Sequence, residues 1–289
     1  MKKRYFLFDY INFIYFSVIF FLITVFHSRI ERYYLYLIFF IIYALFIIKI
    51  SKLYLEHPEN KIILFLRYTY PILFFTFVYR IISGYVTVLY GHFLDIYVLN
   101  FQKSLFGTQP VLALEKIVSP YFTEYMKFTY FTYYLYLPGI GFTLFFQKRY
   151  KDLIKFLSVI TFTFYICYIG FVIFPIEGPR FTLLDTFTIK HLEGFFFTKF
   201  QNLIMKYGAV TGACMPSSHV AVAWASLYFI RKFFGKTIFY FIIPFTISLT
   251  LAVVYNRYHY FSDAVMGLLF AYIGIKIGNY LYEKYENKQ

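Results

Sequence analysis

The chain has 289 residues, of which 61% are hydrophobic and 26% aromatic, with 42 Phe and 33 Tyr. A soluble domain cannot hide that much apolar surface, so a bilayer is the expected solvent. The net charge of +14 would suggest nucleic acid on a soluble protein, but Lys and Arg sit in short loops between apolar runs, as topology signals do, and no nucleic-acid partner is expected.

Met1-Lys2-Lys3-Arg4 precedes a long apolar run without a small-residue cleavage site, which reads as a signal anchor. A crossing takes about 20 mainly apolar residues. That rule predicts spans at 10–26, 33–50, 62–88, 129–147, 153–174, 217–233, 237–255 and 263–282. The expected fold class is therefore all-α, a polytopic transmembrane bundle of about eight spans. Arg67 and Arg80 interrupt the third span; each either snorkels to the interface or serves as a functional arginine inside the membrane. Segment 89–128 places Asp95, Lys103, Gly107, Pro110, Glu115 and Lys116 among aromatics, which suits helices lying along the surface. Cys167 falls in an apolar run and Cys214 in a loop, so neither a disulfide framework nor a zinc spacing is predicted.

With eight spans, the basic clusters share one side: Lys2, Lys3 and Arg4; Lys49, Lys52 and Lys61; Lys148, Arg149, Lys151 and Lys155; Arg231, Lys232 and Lys236; Lys284 and Lys288. The positive-inside rule makes that side cytoplasmic, with both termini on it. An integral protein of a plasma or inner membrane is expected. Segments 89–128 and 175–216 and the turn 256–262 fall on the opposite face, and long loops of this kind are usually functional. The organisation expected is one membrane domain. Residues 1–128 supply N-terminal helices and the surface segment, and 129–289 a helical core.

Three polar strings lie on that outer face. In Pro175-Ile176-Glu177-Gly178-Pro179-Arg180 the prolines end a span; Arg180 is either an interfacial anchor or a fork for phosphate oxygens. Pro216, Ser217 and Ser218 precede a long apolar helix. They serve as an ordinary cap or present the helix start to a phosphate, with His219 in the first turn. His259 and Asp263, spaced i, i+4, share a helix face. A carboxylate on one ring nitrogen makes the other more nucleophilic. The bland alternative is Asp263 as a helix-start charge and His259 as an interfacial residue. Arg257 adds a third polar partner nearby.

Taken together, Pro216-Ser217-Ser218-His219 resembles the Pro-Ser-Gly-His signature of the type 2 phosphatidic acid phosphatase / vanadium haloperoxidase superfamily. His259 with Asp263 resembles its His-x-x-x-Asp signature. The resemblance covers about residues 120–282 and implies a six-helix phosphatase-like core. It also implies His259 as the nucleophile, Asp263 as its orienting carboxylate and His219 as the general acid. Ser217 and the backbone at Ser218 would hold phosphate oxygens.

Two departures stand out. The Lys-x6-Arg-Pro signature is absent, and Arg180 is the candidate replacement. Val253 stands where an Arg usually precedes the third motif, and Arg257 is the candidate to supply that charge. The pattern, with Phe106-Gly107-Thr108-Gln109-Pro110, is closer to the branch resembling inositol phosphorylceramide synthases.

The expected function is a lipid phosphatase acting on a phosphorylated lipid through a phosphohistidine. The alternatives are a lipid phosphotransferase with an alcohol acceptor and a non-enzymatic membrane protein such as a transporter. No metal or other cofactor is called for, since arginines and a helix end supply the positive charge.

Overall fold

The computed structural model describes residues 4–287. Lys2 and Lys3 of the expected signal anchor, and the basic Lys288, lie outside the described residues. Among the described residues the chain is helical, without strands. The helices are α1 (Leu7–Val25), α2 (Tyr33–Glu56), α3 (Lys61–Ile81), α4 (Asp95–Phe106), α5 (Pro110–Ala113), α6 (Pro120–Phe146), α7 (Tyr150–Ile173), α8 (Pro179–Thr182), α9 (Phe196–Gly208), α10 (Ser218–Tyr255) and α11 (Phe261–Asn287).

Six of these (α1, α2, α3, α7, α10 and α11) are long and apolar enough to cross a membrane. α10 has 38 residues, far more than one crossing needs. It folds back at Gly235, whose φ of 87° is open to glycine at little cost. The Trp224 indole donates to Thr250 Oγ1 at 2.9 Å, which ties its two arms side by side. α6 is 27 residues long but interleaves Tyr and Thr with its apolar residues, and it packs between α3, α10 and α9. The eight expected spans thus correspond to α1, α2, α3, α6, α7, the two arms of α10, and α11.

Successive passes give the bundle two ends. Tyr285 donates to the Tyr5 carbonyl at 2.7 Å, so both ends of the described chain meet at one of them. Near that end Arg67 is fully buried and paired with the equally buried Asp9. Asp9 also accepts from Tyr70 and from the Phe6 amide, and the Arg67 guanidinium lies 4.0 Å from the Phe6 ring centre. Arg67 is therefore part of an internal ion pair between α1 and α3, not a snorkelling side chain. Arg80, at the opposite end, donates to the Ala209 carbonyl.

Segment 89–128 lies at the end opposite the termini, as α4, α5 and a 3-10 turn at Leu114–Ile117. One side of α4 is exposed at Ile96, Tyr97, Phe101 and Leu105, while Val98 and Gln102 are buried. That two-sided pattern suits a helix lying along a membrane surface.

Candidate functional site

The site is assembled at the end opposite the termini from four separate stretches of chain. Ser217 caps α10, its hydroxyl accepting from the Val220 amide at 3.4 Å. Its own amide donates to the Asp263 carbonyl at 2.9 Å, joining the two motif strings through backbone. Gly267 permits this contact, because a Cβ there would stand 2.7 Å from the Ser217 carbonyl oxygen. Ser217 and Ser218 are buried. His219 follows in the first turn, and its ring centre lies 5.9 Å from that of His259.

The His259 ring is held at Nδ1. The nearest acceptor is the Cys214 carbonyl at 2.9 Å. Asp263 Oδ2 stands at 3.6 Å and accepts from the Tyr260 amide at 2.8 Å. The expected carboxylate is thus beside the ring, but a backbone carbonyl makes the closer contact. Either acceptor favours a proton on Nδ1 and leaves Nε2 with the lone pair.

His219, His259, Ser218 and Arg180 line one cavity of about 430 Å³. Its walls continue among Phe75 and Tyr79 of α3, Tyr133 and Phe142 of α6, and Phe164 of α7. Leu73, which also lines it, is more than half exposed. Among the described residues Arg180 is the one Lys or Arg that lines it. Arg180 donates weakly to the Val210 carbonyl at 3.3 Å, and its Nε is buried without a partner. No carboxylate lies within ion-pair distance of it among the described residues.

Arg257 is placed differently. Its φ is 61°, and its side chain turns away from the cavity. It pairs with Glu115 at 2.9 Å, donates to the Ile189 carbonyl at 2.6 Å, and covers the Phe187 ring at 3.8 Å. The expectation of a phosphate-binding Arg257 does not fit this arrangement, because its two terminal nitrogens are engaged by a carboxylate and backbone carbonyls. Glu115 also accepts from the Thr188 hydroxyl and amide and the Ile189 amide. Burial alone would raise its carboxyl, but these bonds and the Arg257 charge hold it below the ordinary range. The result is a clasp that fastens loop 187–190 over the turn bearing His259.

Three residues that sequence reasoning did not single out complete the site. Asp95, at the start of α4, accepts from the Glu177 and Gly178 amides at 2.8 and 2.9 Å and from the Tyr260 hydroxyl at 2.9 Å. It therefore ties the Arg180 turn to the His259 turn. Burial and the Asp95 charge push the neighbouring Glu177 carboxyl up, while the Arg180 charge draws it down. Tyr130 is hydrogen-bonded to His219 Nε2 at 2.9 Å. Lys127, one turn earlier and buried, donates to the Tyr258 hydroxyl at 2.9 Å. No local signal separates these from the many other tyrosines and interfacial charges of the chain.

Cys214, His259 and Asp263 each offer a ligand atom within 4.8 Å of one another. A metal would need the Cys214 thiolate. Burial, then the Asp263 charge, pushes that thiol well up, and its Sγ–H faces the Glu177 and Tyr258 carbonyls at 3.2 and 3.4 Å. In this arrangement Cys214 serves as a thiol donor to backbone carbonyls.

A family model described as the PAP2 superfamily matches residues 101–277, more than half of the chain, and the chain belongs to that superfamily. No curated protein and no solved structure matches it. Membership makes it an integral-membrane enzyme of the phosphatase and phosphotransferase class, with phosphatase-type activity on lipid phosphates.

Proposed function

We propose that the chain is a lipid phosphatase that works through a phosphohistidine on His259. The observation that carries this reading is convergence. Two histidines and an arginine without a carboxylate partner border one cavity whose remainder is largely apolar. A transporter with incidental motifs gives no reason for that grouping.

The lipid tail lies among the aromatic side chains of α3, α6 and α7, and the phosphate lies against Arg180 and the first N–H groups of α10. His259 Nε2 attacks phosphorus in line. The P–N bond forms, the P–O bond to the lipid alcohol breaks, and His219 gives the departing oxygen a proton. Water then attacks the phosphohistidine, the P–N bond breaks, and inorganic phosphate leaves as His219 takes the water proton. Arg180 and the helix end offset the charge on the phosphoryl oxygens in both steps. The positive-inside pattern supports a site on the non-cytoplasmic face.

Transfer to an alcohol would need a second seat in line with His259. A further cavity of about 640 Å³, almost wholly apolar, lies between α4, α7 and α11; it borders Pro216 and Ser262 but neither histidine. Water is therefore kept as the acceptor. The test is phosphate release by the purified protein in detergent across a panel of lipid phosphates, with and without added alcohols. Release without an alcohol is expected. Product formation only when an alcohol is present would replace this reading with transfer.

A further inference from the structure

Tyr130 is 2% exposed, lines the cavity, and meets His219 Nε2 through its hydroxyl at 2.9 Å. The two rings lie 5.2 Å apart. On the same face of α6, at i−3 and i+4, are Lys127 and Tyr134. His219 Nδ1 makes no hydrogen bond among the described residues. The His219 ring itself borders the cavity.

We propose that Tyr130 is a positioning residue for His219, its hydroxyl holding Nε2 so that Nδ1 is the nitrogen that exchanges a proton at the cavity. This rests on His219 acting as the acid and base of the phosphatase reading. The chemistry needs two states of that ring. As imidazolium it donates from Nδ1 to the departing oxygen while Nε2–H donates to the phenol oxygen. As the neutral base it offers the Nδ1 lone pair to water, and Nε2–H still donates to the phenol. A hydroxyl accepts in both states, so the ring can cycle without turning.

Other groups around His219 do not take this role. Tyr79 of α3 and Tyr133 of α6 meet it through ring contacts, at 6.4 and 4.4 Å between centres. His259 and Arg180 are the cationic or protonatable groups across the cavity. Cys214 and Tyr258, and Tyr168 of α7, border it farther round. Tyr258 engages Lys127.

The test substitutes Tyr130→Phe, which keeps the ring and removes only the oxygen. Phosphate release from a lipid phosphomonoester in detergent is followed against pH, with a thermal melt to show that each variant is folded. The kcat of Y130F is expected to fall roughly 10- to 100-fold, as for other partners that orient a working histidine. The imidazolium loses an acceptor, so the alkaline limb of the kcat profile should move to lower pH. In the His219→Ala background, Y130F should cost nothing further. An unmoved pH limb, or the same fold-loss in both backgrounds, overturns the Tyr130 inference while leaving the phosphatase reading intact. H219A at the wild-type rate overturns the role of His219 itself.

Discussion

Arg67 and Arg180 sit at opposite ends of the same bundle, the first fully buried and the second partly so, both with a buried, unpartnered Nε. What separates them is the company they keep. Arg67 faces the Asp9 carboxylate, three further polar groups gather round that pair, and the site cavity does not reach it. Arg180 has one long bond to a backbone carbonyl and a cavity in front of it. A buried charge that is already paired is architecture; one left without its counter-charge beside an open space is a candidate anion site, which is the proposal for Arg180. Arg257 falls on the Arg67 side of this divide, because Glu115 supplies its counter-charge.

The comparison can be broken or sharpened by substitution. The largest effect belongs to the functional end: His259→Ala should lower phosphate release by at least about a thousandfold, while the melting curve stays cooperative. Activity near the wild-type level would remove the nucleophile from the scheme. At the other end, Arg67→Met leaves Asp9 buried without its counter-charge, and should cost about 3–5 kcal/mol of stability. A thermal melt in detergent measures this; the specific activity of the folded fraction should be unchanged. If R67M melts like the wild type, the division between the two ends fails.

Arg180→Lys comes next. Lysine keeps the charge but loses the fork, so kcat/KM should fall about 10- to 100-fold with little change in melting temperature. A stability loss without a kinetic one would move Arg180 to the architectural class.

The smallest effect concerns the clasp. The Glu115 carboxyl is held below its ordinary pKa in the folded chain, and a depressed carboxyl contributes stability above its unfolded value. That contribution is lost as pH falls through the folded value, so acid below the usual carboxylate range should loosen loop 187–190. Glu115→Gln should do the same at neutral pH, at a cost of about 1–3 kcal/mol. Amide protection at Thr188 and Ile189, taken relative to the intrinsic exchange rate at each pH, reads both, and protection that is independent of pH and of the substitution would dismiss the clasp.

Much of the architecture is legible in local sequence because membrane solvation acts residue by residue. Apolar runs of crossing length mark α1, α2, α3, α7 and α11, and the break between 233 and 237 falls where Gly235 bends α10. Hydropathy marks α6 only from Thr129 onward. The helix itself begins earlier, at Pro120, where the Ser119 hydroxyl caps it by accepting from the Phe122 amide. The four-residue spacing of His259 and Asp263 is readable, but not that the Cys214 carbonyl stands nearer to the ring than the carboxylate does. Arg257 misleads because a positive charge two residues from a histidine looks the same in sequence whether or not a carboxylate awaits it.

By itself, then, the sequence determined the solvent, the helical class, the rough crossings and the two motif strings, since hydropathy, capping and helix periodicity are properties of neighbouring residues. Only the tertiary structure decided which partners meet across the chain. Asp9 meets Arg67 over 58 residues, Tyr130 meets His219 over 89, and Glu115 meets Arg257 over 142. In a chain with 33 tyrosines, no local pattern distinguishes the one that touches the histidine. That choice is made when α6 packs against α10, because most buried polar atoms take a partner, here from another segment.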